Sequence, residues 1–557
     1  MLRYFNEFPE RSCFSLNGEW RFCPDRANIG MSEKWYADFP GNSKLLSIPG
    51  CWNTQLIDMF DFIGKGWFKK TFTCDECYLL LELGAVSGES RVWLDGVMIG
   101  CHYGGWTQFN CGCFVKAGEH SLVICADTTE NPLNTIPLTR KDWFSYGGIF
   151  RDVTAMQLNA PYIDSVAFNY NLNVVTRSAD IQCVVTVKDP FDGDYVTPVT
   201  LALDGDVIAT GELSNGSITL KTTVNDLKLW NIGDGNLYEL TVTTKDDKKV
   251  DRVGFRTVEA KNREILVNGR PIFIHGVNRH EEHPDWGFAV PDQLGKRDIE
   301  IIKNLNCNMV RGSHYPNSHR FVDELDRAGI LFWSEIPMWG NSADSLADPL
   351  LCDRAENMIT EMINCYRNHP SIIVWSMHNE VHTESPEGYS LSKRLHKVIS
   401  DLDSSRLIAF ATNHYPDDIC LEFCDVICVN RYIGWYSDNI DEWGDYIRNM
   451  HTIAEQKGVG DKPIIMSEFG AGAIYGYDSF RNDRWTMSYQ SDIVEAVITA
   501  CAKTPGICGT LVWQFADIVS LKSVDRARGY NNKGLVDEYR RPKAAYFTVK
   551  KLYKDID

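Results

Sequence analysis

Two periodicities divide this chain. Through about residue 255, apolar residues come in short alternating runs broken by Gly, Asn and Asp. That is the two-residue period of half-buried strands. YLLLELGAV (78–86), ESRVWLDGVMIG (89–100) and HSLVICADT (120–128) are strands of a first block, with Asp95-Gly96 at a hairpin turn. A second β-rich block runs from Pro161 to Val258 and contains IQCVVTVKD, TPVTLALDG, SITLKTTV and LYELTVTTKDD. Its length and strand spacing fit a small sandwich.

After Val258 the pattern changes. Apolar runs now alternate with amphipathic helical stretches such as DQLGKRDIEIIKNLN and PLLCDRAENMITEMINCYRN, which predicts parallel strands joined by crossover helices. The strand candidates are PIFIHGVNRH, NMVRGSHYP, ILFWSEIP, SIIVWSMHNE, LIAFATN, DVICVNRY, PIIMSEFG and GTLVWQFAD. Eight such units in about 300 residues fit a (β/α)8 barrel. A doubly wound sheet is the alternative, but the stretch has no glycine-rich first turn to support it. The expected layout is therefore a sandwich over 1–160, a second over 161–258 and a barrel over 259–557.

Polar residues gather where the apolar strands end: Asn278-Arg279-His280, His314, Glu335, Asn379-Glu380, Asn413, Asn430-Arg431-Tyr432, Glu468 and Trp513-Gln514. Barrel active sites are built from the C-terminal ends of the strands. Packing alone gives no reason for nearly every strand to finish this way.

Composition narrows the function. The formal charge of −19 argues against nucleic acid and against anionic membrane surfaces. No apolar run approaches the ~20 residues of a membrane span. The N-terminus, MLRYFNEFPERSCFSLNGEW, shows no apolar signal region, so the 18 cysteines are expected as reduced thiols in a cytoplasm. Cys74-x-x-Cys77 and Cys111-x-Cys113 have metal-like spacing, yet no His or second pair completes a four-ligand set. Small buried apolar residues are the expected role for them, and no metal or other cofactor is expected.

Glu380 and Glu468 end two strongly apolar strands, the fourth and the seventh. Two carboxylates across a barrel mouth are what glycoside hydrolysis requires, one held protonated and one ionised. The competing reading is structural: two glutamates in ion pairs with Arg279 and Arg311.

Around these residues the sequence resembles glycoside hydrolase family 2. RNHPSIIVWSMHNE is similar to that family's acid/base segment and PIIMSEFG to its nucleophile segment. SLNGEWRF, ESRVWLDGVMIGCHYGGWTQF and WFSYGGIFRDV resemble its N-terminal sandwich; VGFRTVEA and GVNRHEEHP resemble the entry to its barrel. The resemblance covers almost the whole chain. It implies a jelly-roll sandwich, an immunoglobulin-like sandwich and a TIM barrel, with retention of anomeric configuration. Carried over, Glu380 is the acid/base, Glu468 the nucleophile, and Asn379 a partner for the sugar 2-hydroxyl.

Within the family the similarity is greatest to the bacterial β-glucuronidases. VNRYIGWYSD resembles their sixth-strand segment, and GYNNKGLVDEYRRPKAAY resembles their C-terminal run with its Asn-x-Lys. The resemblance implies that Asn531 and Lys533 grip the C6 carboxylate of a glucuronide. Electrostatics agrees: an acidic protein that binds an anion needs a local cation. An ammonium ~4 Å from a carboxylate gains on the order of 4 kcal/mol at an effective dielectric near ~20, before desolvation. Asp142, His314, Asn430, Tyr432, Tyr436 and Trp513 are the further pocket residues that the resemblance implies.

The sequence departs from the family in three places. The family's arginine before the Asn falls on Ala527, flanked by Arg526 and Arg528, and Arg528 is taken for the role. Val381 follows the acid, where many relatives have Pro. The segment MWGNSADSLADP is short where some bacterial relatives carry a long covering loop, which implies an open entrance and tolerance of bulky aglycones or oligosaccharide ends. A β-galacturonidase stays open as an alternative, as does a β-galactosidase or, in a different class, an inactive carbohydrate-binding protein on the same scaffold. Self-association is implied by the family, with no order fixed.

Overall fold

The computed structural model describes residues 3–556 apart from 139, 140, 192, 194, 437, 438 and 521–524. Ser437 and Asp438 of the VNRYIGWYSD run thus lie outside the described residues. The first block forms two facing antiparallel sheets. One has four strands, Ser12–Ser15, Val153–Leu158, Cys77–Leu83 and Phe109–Val115. The other has six, Lys44–Ile48, Gly18–Asp25, Lys65–Cys74, Gly118–Asp127, Glu89–Leu94 and Val97–Tyr103. Alternate residues of both sheets, among them Leu79, Leu81, Val92 and Ile124, are fully buried between them, as the two-residue period requires. The hairpin at Asp95-Gly96 is present, with both residues at positive φ (51° and 81°). That is the backbone a two-residue turn between right-twisted strands demands.

The second block is an immunoglobulin-like sandwich of a three-stranded and a four-stranded sheet, spanning Tyr162–Asn173 to Lys248–Val253. Its core, with Ile163, Cys183, Val199 and Leu201 at its centre, is separate from that of the first sandwich.

Eight parallel strands then close a barrel. They are β1 (Ile274–Asn278), β2 (Met309–Gly312), β3 (Leu331–Glu335), β4 (Ile372–Asn379), β5 (Leu407–Thr412), β6 (Ile427–Asn430), β7 (Ile464–Glu468) and β8 (Ile507–Val512). Every residue in them is buried, because helices cover the outside while side chains fill the inside. Four of the helices start at side-chain caps. Ser318, Ser385 and Thr486 each accept from a backbone N–H in the first turn, and Asp348 caps a helix with Pro349 at its first position. In one respect the first strand differs from expectation. Arg270–Ile272 belongs to a separate three-stranded sheet with Val258–Lys261 and Glu264–Val267. Ile265 and Val267 of that sheet join Trp230 and the lower barrel residues in one core, so this short sheet plugs the bottom of the barrel.

Buried arginines fasten both sandwiches to the barrel. Arg151 donates to Glu281 (2.9 Å) and to the Pro316 carbonyl (2.8 Å). Arg256 donates to the carbonyls of Pro370, Ile372 and Ser405. Arg3 spans Asp251 and Asp323. Planar, multiply bonded guanidinium groups suit such dry junctions. Between the strand ending at Asp127 and Gly148, the first sandwich sends a loop over the C-terminal face of the barrel. Trp143 anchors it, buried among Phe288, Tyr315 and their neighbours. No helix among the described residues is long and apolar enough to cross a membrane. The cysteines are all unbonded to one another, and burial pushes the Cys77 thiol up to about 11.

Candidate active site

A cleft of about 710 Å³ opens at the C-terminal ends of the barrel strands. Its floor is organised by Arg311, which ends β2 and is fully buried. Nε and Nη2 donate to the two oxygens of Glu335 (2.9 and 3.1 Å) at the end of β3. Nη1 donates to Glu468 (2.8 Å) and to Asn278 Oδ1 (3.1 Å), while Nη2 also donates to Asn379 Oδ1 (2.7 Å). Burial opposes this charge, but Glu335 and Glu468 outweigh it and raise the guanidinium further. One permanently charged group thus holds the ends of β1, β2, β3, β4 and β7 in register.

Glu468, at the end of β7, takes its second bond from the Tyr432 hydroxyl (2.7 Å), and His314 Nε2 stands 4.0 Å from it. Burial, then Glu468 and Glu380, push the Tyr432 phenol well above its ordinary range, so it remains a donor. His314 is turned by Glu335, which bonds its Nδ1 (2.6 Å), and it stacks on Trp513 at 5.0 Å. Burial works against the Glu335 carboxylate, yet Arg311 and His314 keep it below its usual value. Both non-proline cis peptide bonds, Ser313–His314 and Trp513–Gln514, lie at this face.

Glu380 has different company. It follows β4 with φ at +51°, a backbone position unfavourable for a non-glycine residue, which tends to mark functional sites. Among the described residues its carboxylate meets only amides, Asn430 Nδ2 at 2.7 Å and Asn413 Nδ2 at 3.4 Å. Burial first, then the charge of Glu468, pushes its pKa up to about 8, against the pull of Asn430 and Arg311. At neutral pH this group therefore carries a proton.

The competing structural reading is thus half realised. Arg311 does pair with Glu468. Arg279 pairs instead with Asp298 (2.9 Å), and Glu380 has no cationic partner among the described residues. Asn379 lies just behind the cleft. Its Oδ1 accepts from Arg311 and Asn430, and its Nδ2 is buried without a partner among the described residues.

At the other end of the cleft sits Lys533, 2% exposed. Its Nζ donates to the Tyr436 hydroxyl (2.9 Å) and lies 5.0–5.7 Å from the ring centres of Tyr432, Trp435 and Tyr436. No carboxylate among the described residues lies within ion-pair distance of it, whereas buried Lys543 has Asp517 at 2.7 Å. Asn531 is buried beside it and gives its amide to Asp142 (2.9 Å). Asp142, carried by the loop from the first sandwich, also accepts from Arg526 and Ser520.

The expected pocket arginine needs correction. Arg528 faces away: it sits at φ +62° and pairs with Glu538 (2.9 Å), its side chain 45% exposed. The left-handed turn at Arg528 sends its guanidinium to the opposite side from Arg526, which lines the cleft. The other expected residues, Asp142, His314, Asn430, Tyr432, Tyr436 and Trp513, line it as well. The sequence reading missed Trp339, Lys141, Ser520 and Asp525. It also gave Arg311 no part beyond an ion pair, although a charge inside an apolar strand run was a usable signal. Trp339, in an irregular segment, carried none.

Residues 258–557 match the family described as "Glycosyl hydrolases family 2, TIM barrel domain", residues 13–159 its sugar binding domain, and residues 162–256 the family's remaining domain. The chain is 28% identical over 583 residues to a curated β-glucuronidase of Paenibacillus borealis, covering 96% of each chain. Among solved structures it resembles a GH2 β-galacturonidase from Eisenbergiella tayi bound to galacturonate, with 30% identity, TM-score 0.91 and coverage of 100% and 99% of the two chains. It also resembles the Ruminococcus gnavus β-glucuronidase in complex with D-glucaro-d-lactam, with 25% identity, TM-score 0.89 and 99% coverage of each chain.

Proposed function

The chain belongs to glycoside hydrolase family 2, and on that premise we propose that it is a retaining, exo-acting β-glucuronidase. The observation that carries the proposal is Lys533: a buried ammonium with no anionic partner among the described residues, in the same cleft as Glu380 and Glu468. A buried charge left unpaired is costly, and the C6 carboxylate of a uronic acid supplies the missing anion. The curated β-glucuronidase relative and the R. gnavus enzyme support the sugar assignment.

In this reading Glu468, held by Arg311 and Tyr432, attacks the anomeric carbon. Glu380, protonated at neutral pH, gives its proton to the glycosidic oxygen as that bond breaks, and the aglycone leaves. Glu380, now a carboxylate, takes a proton from water; the water oxygen bonds to the same carbon and Glu468 is released. Asn379 Nδ2, which has no partner among the described residues, is the group this reading assigns to the 2-hydroxyl, a bond that strengthens as positive charge develops on the ring. Asn531, held against Asp142, would turn its amide between that carboxylate and the substrate's. No cofactor enters either step.

A second reading is a β-galacturonidase, favoured by the likeness to the E. tayi enzyme. It keeps the same carboxylate grip and changes only the configuration at C4. Both readings are tested on matched aryl β-glycosides of glucuronic acid, galacturonic acid and galactose. The glucuronide is expected to be the best substrate. Lys533→Ala should lose roughly 10- to 150-fold in kcat/KM on either uronide, the scale of a hydrogen bond to a charged group, and far less on the galactoside. Equal losses on all three sugars, or none, would refute the carboxylate grip. A faster galacturonide would install the second reading, and no turnover by a folded protein would indicate a carbohydrate-binding role.

A further inference from the structure

We propose that Trp339 forms a leaving-group subsite that accepts an aglycone presenting a flat apolar ring face. The proposal rests on the assignment of Glu380 as proton donor, since the leaving oxygen must lie beside that carboxyl group. Trp339 is tied to the neighbouring residue by main-chain bonds: Asn379 N–H donates to the Met338 carbonyl (2.8 Å) and Gly340 N–H to the Asn379 carbonyl (3.0 Å). The Trp339 backbone is therefore fixed beside the residue that precedes the proton donor, and both side chains line the same cleft. Trp143 braces it edge-on at 6.1 Å and 79°. Its ring lines the cleft and is partly exposed, and its N–H has no hydrogen-bond partner among the described residues. An exposed, rigid indole with a free donor costs little entropy to use and stacks on flat rings.

Space and charge fit the same occupant. The cleft, about 710 Å³, is in the ~300–1,000 Å³ range of sites for drug-sized ligands and exceeds what one sugar ring fills. The cations that line the cleft are engaged: Arg526 pairs with Asp142, Lys141 with Glu130 (2.8 Å), Arg431 lies over the Tyr446 ring at 5.6 Å, and Lys533 is given to the proposed carboxylate grip. Asn413, exposed at the end of β5 and 3.4 Å from Glu380, adds only a neutral amide on the leaving-group side. An uncharged ring is the complement, either an aryl group or the apolar face of a second sugar.

The test uses three leaving groups, methyl, 2-naphthyl and a glucosyl unit, on whichever uronic acid the wild type hydrolyses faster. Trp339→Ala is expected to lower the ratio of kcat/KM for ring-bearing over methyl substrates by about three- to tenfold, mostly through KM, and Trp339→Phe to restore most of it. A fall confined to the naphthyl arm assigns an aromatic occupant; a fall confined to the disaccharide assigns a sugar. Ratios unchanged in both arms, or equal losses on all three leaving groups, would overturn the subsite. A wild type that hydrolyses neither uronide would sink the glucuronidase and galacturonidase readings. The same three leaving groups would then be read on galactose, where the ratio still decides the role of Trp339.

Discussion

Glu468 and Glu380 close strands of the same barrel and open onto the same cleft, yet their surroundings are opposites. Glu468 receives a buried guanidinium and a phenol. Glu380 receives two amides and a strained backbone, with the charge of Glu468 nearby. The two residues have the same side chain, so it is the surroundings of Glu380 that raise its pKa. Arg311 makes this asymmetry possible, because it is committed to Glu335 and Glu468 and has no donor left for Glu380.

If the contrast is functional, removing the better-served carboxylate must hurt most. Glu468→Gln should cut turnover by roughly 10⁴-fold or more with the fold intact, as checked by steady-state kinetics beside circular dichroism; near-normal turnover would mean the attacking group is elsewhere. Glu380→Gln should cost on the order of 10²–10⁴-fold. That loss should shrink on leaving groups that depart without protonation, so kcat/KM plotted against leaving-group acidity should steepen. A uniform loss across the series would remove Glu380 from the proton-donor role.

The smallest effect is the most specific. With its pKa raised from 4.5 to about 8, Glu380 holds its proton below that value and loses it above. The alkaline limb of kcat/KM should therefore fall near pH 8. The Asn430 amide pulls that value down, so Asn430→Ala should move the limb to higher pH. A limb that stayed fixed, or moved down, would show that another group sets it.

Much of this was legible in the chain. The barrel was readable because buried parallel strands are continuously apolar and their polar ends stand out, as in SIIVWSMHNE and PIIMSEFG. The two sandwiches were readable from their alternation. The short plugging sheet at Arg270–Ile272 was not, because three residues carry no period and its pairing with Glu264–Val267 is set by the hairpin. Among site residues, those on strand ends were found, since β geometry fixes their direction. Arg526 and Arg528 were confused because a left-handed residue in a loop decides which of two neighbouring side chains faces inward, and neither charge nor spacing encodes that. Trp339 stayed hidden for a similar reason: its place depends on main-chain bonds to Asn379 that no side-chain pattern announces.

Asp142 reaches the cleft on a loop that belongs to another domain, and Asn531 and Arg526 both lean on it. An excised barrel would keep both acids but lose one wall of the cleft. Selectivity in such an assembly can change by altering a sandwich loop while the reaction centre stays untouched. For an engineer, that loop is a separate dial on substrate choice, adjustable without reopening the barrel.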